Sequence, residues 1–87
     1  MIIIYKSRAE KDLTSLDKAT QQKIKDKLDK YIENPLSVDF KLLKGYSNLG
    51  RIRQGDYRII CRLNNNCEIV ILEIIRIKHR KEVYRDL

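Results

Sequence analysis

With 87 residues, 43% hydrophobic and 36% charged, the chain is too short for several ordinary domains and too apolar for a disordered tail. Its net charge of +7 points to an anionic partner, and the excess is uneven: residues 1–40 hold 8 Lys/Arg against 7 Asp/Glu, residues 41–87 hold 11 against 5. Met1-Ile2-Ile3-Ile4 is too short and lacks the cationic start of a signal peptide, and the run Ile69-Val70-Ile71-Leu72 stops at Glu73, so the expectation is a cytoplasmic protein without a membrane partner.

Ile2-Ile3-Ile4-Tyr5 is β-branched and aromatic and predicts a short strand. Ser7-x-x-Glu10 has the form of a capping box, opening a helix with Ala9, Leu13 and Leu16 on one face. Asp17 is placed to cap a second helix running to about Glu33. Its apolar positions Ile24, Leu28, Tyr31 and Ile32 form one stripe, and Asn34-Pro35 ends it because proline disfavours helix in the preceding residue. Residues 36–48 are expected as a connection with Gly45 as a turn signal.

Beyond it the period drops to two. Arg51-Ile52-Arg53 alternates, Gln54-Gly55-Asp56 supplies a tight turn, and residues 57–63 alternate again. Tyr57, Ile59, Cys61 and Leu63 share one side; Arg58, Ile60 and Arg62 take the other. Asn64-Asn65-Asn66 is expected as a second turn, residues 67–77 as a long strand, and residues 78–84 as a basic tail or one helical turn. Cys61 and Cys67 form no CxxC motif and are expected as small strand residues. The fold class is α+β: an N-terminal strand and a helical hairpin packed on a mainly antiparallel sheet, in the order β-α-α-β-β-β, as one domain over residues 1–87.

Alternation sets Arg51 and Arg53 on one face, Arg58 can join them across a hairpin, and the tail adds His79, Arg80 and Tyr84. Guanidinium groups bind phosphate through paired N–H donors, and a tyrosine ring stacks on an unpaired base. Such a set suits internal transesterification of RNA: a base removes the ribose 2′-OH proton, the oxygen attacks phosphorus, an acid protonates the leaving 5′ oxygen, and cations stabilise the dianionic transition state. Lys44, Arg62, Arg76, Lys78 and Lys81 are the accompanying RNA-binding candidates. With one histidine and no carboxylates at ligand spacing, neither a metal nor another cofactor is expected.

Lys44-Gly45-Tyr46, Arg51-Ile52-Arg53, Gly55-Asp56-Tyr57-Arg58-Ile59 and His79-Arg80-Lys81-Glu82-Val83-Tyr84, in this order, resemble the RelE/ParE superfamily of type II toxins. The resemblance spans essentially the whole chain. It implies a ribosome-dependent endoribonuclease that cuts mRNA and leaves a 2′,3′-cyclic phosphate. By position, Arg51 and Arg53 match the two basic residues of the first hairpin strand, Arg58 the arginine that neutralises the transition-state phosphate, and Tyr84 the tyrosine that stacks on the base. Arg80 or Lys78 matches the basic residue of the tail. Some relatives carry lysine where Arg51 and Arg53 stand; an arginine stays protonated and is a poor base, which raises His79 as the candidate. No glutamate base of the YoeB-like kind is evident. The implied partners are a RelB-like antitoxin, mRNA and the ribosome. The rivals are a ParE-like inhibitor of DNA gyrase, without nuclease chemistry, and a non-catalytic basic RNA-binding domain.

Overall fold

β1 (Ile2–Tyr5), α1 (Ser7–Thr14) and α2 (Lys18–Glu33) come first. A 3-10 turn over Pro35–Ser37 leads to β2 (Phe40–Leu42), β3 (Leu49–Gln54), β4 (Tyr57–Asn66) and β5 (Ile69–His79). The computed structural model describes residues 1–43, 45, 49–66 and 69–81. The strands form one five-stranded sheet in the order β1-β5-β4-β3-β2, with β1 parallel to β5 and the other pairs antiparallel. Among the described residues no helix is long and apolar enough to cross a membrane.

Both helices cover one face. Ala9 and Leu13 of α1 and Ile24, Leu28 and Tyr31 of α2 pack on Ile52, Ile59, Cys61, Leu72, Ile74 and Ile77. The stripe read from the sequence is thus the buried stripe, with Ile32 at its margin. Burial pushes the Cys61 thiol up to about 12, so it stays protonated. Asp17 caps α2 by accepting the Thr20 N–H at 3.2 Å. Asn34 ends it, and its side chain accepts the Leu36 N–H at 3.3 Å.

Four local expectations are corrected. Ser7 is the first helical residue and not the cap: Lys6 holds that place without a side-chain hydrogen bond, because its own N–H extends the β1–β5 ladder to Ile74 O at 2.9 Å. The connection contains β2, whose Phe40 pairs with Ile52 and whose ring lies 5.6 Å from that of Tyr31, tilted by 34°. β4 runs through Asn66, since the asparagines pair with Ile69, Val70 and Ile71 instead of turning. Lys78 and His79 belong to β5, paired with Arg58 and Tyr57, and not to a tail.

β5 carries one extra residue. Ile60 pairs with Arg76 and Cys61 with Ile74, which leaves Ile75 as a β-bulge. β1 has already ended at Tyr5, opposite Ile74, so the edge of β5 beyond that point lacks a strand partner. Asp12 of α1 fills the gap. Its carboxylate accepts from Arg76 Nε at 2.7 Å, Arg76 Nη2 at 3.1 Å and the Ile77 backbone N–H at 3.0 Å. Burial opposes the charged form of Asp12, but the Arg76 hydrogen bond, the Ile77 N–H and the charges of Arg76 and Lys78 hold it below the usual carboxylate range.

Candidate nucleic-acid interface

The face opposite the helices carries Arg51, Arg53, Arg58, Arg62 and Lys78. Directly opposed residues of an antiparallel pair share a face, so Arg53, Arg58 and Lys78 form one row across β3, β4 and β5. The next row holds Arg51 beside Ile60, and the one beyond holds Leu49, Arg62 and Glu73. Like charges set opposite one another destabilise a sheet. Ile60 and Leu43 are buried on this same face, with Leu49 and Ile75 packed on them, and this second apolar cluster floors the arginine row.

Arg51, Arg53, Arg58 and Arg80 gather at the end of the sheet near the Gly55 turn. Gly55 has φ +59°, the left-handed conformation such a tight hairpin requires. Arg58 Nη1 donates to Gly55 O at 3.0 Å and to Tyr57 O at 3.1 Å, which aims the guanidinium along the turn. Loss of water, then the charges of Arg53, Arg51 and Arg80, hold Arg58 below its ordinary range; Asp56 opposes this. Arg80 closes the cluster. Its N–H donates to Asp56 O at 2.7 Å, and its guanidinium lies 3.8 Å from the Asp56 carboxylate. Arg51 is 8% exposed, and its Nη1 is buried with no hydrogen-bond partner among the described residues.

The other candidates separate from this cluster. His79 pairs with Tyr57, so its ring lies on the Tyr57 side, edge-on at 5.6 Å, and its Nδ1 accepts the Lys81 N–H at 3.2 Å. It does not share the face of Arg58, which corrects the expectation that it joins the guanidiniums as their base. Arg62 is held by Glu73 at 3.2 Å, together with Lys6 at 3.1 Å and Asn64 at 2.8 Å, and Arg76 is held by Asp12. These ion pairs set Arg62 and Arg76 apart from the cluster. The Arg62 hydrogen bond, then that of Lys6, takes the Glu73 carboxyl down to about 2, burial opposing. Lys78 lies in the Arg58 row and is 8% exposed, whereas Lys81 is exposed. Lys44 and Tyr84 fall outside the described residues. Sequence reasoning missed Lys6 and Arg8, which with Arg62 rim a cavity of about 510 Å³ floored by Leu49 and Ile75. Their only signal is their place just after β1.

Residues 3–84 match the family model described as the ParE toxin of type II toxin–antitoxin systems, parDE. The chain belongs to the RelE/ParE toxin superfamily. Toxin RelE3 of Methanocaldococcus jannaschii is 43% identical over 51 residues, 59% of this chain. The match spans 53%, about half, of that relative's length. A RelB–RelE antitoxin–toxin complex from Methanococcus jannaschii has a chain 30% identical, with TM-score 0.69, covering 97% of this chain and 98% of that one. The archaeal RelE–RelB complex from Pyrococcus horikoshii OT3 follows at 27% identity and TM-score 0.70, covering 91% and 93%. The fold expected from the RelE/ParE resemblance, helices on one face of a mainly antiparallel sheet, is therefore the fold observed. Of the residues matched by position to RelE/ParE toxins, the structure brings together Arg51, Arg53, Arg58 and Arg80.

Proposed function

We propose that this RelE-like toxin is an endoribonuclease that cuts mRNA on the ribosome by 2′-OH transesterification, without a metal. The observation that carries the reading is the set of crowded guanidiniums on the sheet face opposite the helices, with a buried Arg51 nitrogen lacking a partner among the described residues and Arg58 held below its usual range by loss of water and by its neighbours. Such a cluster is unfavourable when empty, and a phosphate relieves it.

In the reaction the 2′ oxygen forms a bond to phosphorus, the bond to the 5′ oxygen breaks, and a 2′,3′-cyclic phosphate remains. The 2′-OH gives up its proton and the departing 5′ oxygen gains one. Arg58 and its neighbours hold the non-bridging oxygens and stabilise the second negative charge, which only the transition state carries. A cationic surround also favours ionisation of a hydroxyl within it. Tyr84 stacks on the base beside the scissile bond. The partner is a RelB-like antitoxin whose acidic helix face meets this basic surface and keeps the toxin inert.

The test is a reconstituted translation reaction on a defined mRNA. Cleavage within the ribosomal A site, cyclic-phosphate ends, indifference to EDTA and loss of about 10²–10³ in rate for Arg58→Ala are expected. The ParE description of the family match favours a second reading, inhibition of DNA gyrase. Intact message together with blocked supercoiling would establish that reading and end the first.

A further inference from the structure

The bulge in β5 decides which basic side chain the last strand delivers to the guanidinium face. Leu72 and Ile74 point into the core beneath the helices. Strict alternation from them would send Lys78 into that core and His79 to the face opposite the helices. The extra residue Ile75 reverses the parity. After it, Ile77 is the core residue, Lys78 stands opposite Arg58, and His79 packs edge-on against Tyr57. Asp12 grips the chain immediately after the extra residue, at the Arg76 guanidinium and at the Ile77 N–H, from a helix 64 residues earlier in sequence.

We infer that Asp12 is a positioning residue of the candidate active site: by fixing the bulge it sets Lys78 beside Arg58 and keeps His79 on the opposite side. It touches no substrate and acts through Lys78. A carboxylate suits the task because one group satisfies both the planar fork of Arg76 and the edge N–H that β1 leaves unpaired. The inference rests on the reading of the arginine face as the phosphate-binding face.

The test is a double-mutant cycle in the full chain, with Lys78→Ala, Asp12→Asn and the pair, read as single-turnover cleavage of ribosome-bound mRNA. Each single change is expected to slow cleavage on the order of 10- to 100-fold. The pair is expected to be no slower than Lys78→Ala alone, because the carboxylate works through that side chain. Multiplying effects would mean that Asp12 merely holds the fold, and would overturn the inference. If Asp12→Asn does not fold, Arg76→Lys, which keeps the charge but loses the fork, enters the same cycle. A second measurement needs no cleavage: the nuclear Overhauser contact between the Tyr57 and His79 rings, present in the wild type, should weaken in Asp12→Asn. A contact at full strength there overturns the inference. Loss of the contact in a protein whose wild type cuts no message upholds the positioning by Asp12 and removes the nuclease reading instead.

Discussion

Glu73→Gln should cost stability at neutral pH and nothing in strong acid. Glu73 is buried on the face opposite the helices and accepts from Arg62, Lys6 and Asn64, and this takes its carboxyl from 4.5 to about 2. A group lowered on folding contributes stability that is fully present above its unfolded pKa and lost as pH falls through its folded pKa. The window therefore runs from about 4.5 down to about 2. That displacement corresponds to at most about 3 kcal/mol. Lys6 and Arg62 are 51% and 38% exposed, and screening reduces the figure to about 1–2 kcal/mol. For a domain of this size the melting temperature should fall by about 5–15 °C at pH 7. Urea unfolding of wild type and Glu73→Gln at a series of pH values isolates the group, because the other carboxylates cancel in the difference. A difference that stays constant from neutral pH to the acid end of the series would refute the linkage.

Three other outcomes follow from particular contacts. Arg58→Ala should weaken binding of phosphate and of a short RNA while leaving the fold slightly more stable at low salt, where repulsion among the arginines is least screened; calorimetry and melting at two ionic strengths read both effects. Gly50→Ala should destabilise by about 1–3 kcal/mol, because a Cβ there would overlap the Phe40 ring, and Phe40→Leu in the same chain should recover part of the loss in urea unfolding. The Cys61 thiol, fully buried and pushed up to about 12, should resist alkylation in a Cys67→Ser chain until denaturant unfolds it.

The helices were legible because their signals are local. Ile24, Leu28 and Tyr31 repeat at helical spacing, and the Asp17 carboxylate needs only Thr20 to act as a cap. Ser7 misled because the role of Lys6 depends on Ile74, a partner far along the chain. The arginine row was legible from alternation within β3 and β4, where a polar face meets an apolar one. β5 hides its own parity. Ile74, Ile75 and Ile77 are all apolar, so no change of pattern marks the bulge, and the face of His79 could not be counted from residues before it. Asp12 reads locally as one more charge on a solvated helix. Its meaning comes from the edge that β1 leaves open.

The two faces of the sheet divide the energetics. On the helix side Ile24, Leu28, Ile52, Ile59, Leu72 and Ile74 are completely buried, and this burial lets the other side keep an unfavourable arrangement of charge. On that side part of the basic charge is balanced where it would only repel. Glu73 holds Arg62 and Lys6 at one end, and Asp12 holds Arg76 at the bulge. Among the described residues Arg51, Arg53 and Arg58 form no ion pair, and they meet at the Gly55 end over the floor that Ile60 and Leu43 provide. These three guanidiniums concentrate positive charge at one end of one face, where the apolar floor and the burial of Arg51 strengthen the hold on an anion.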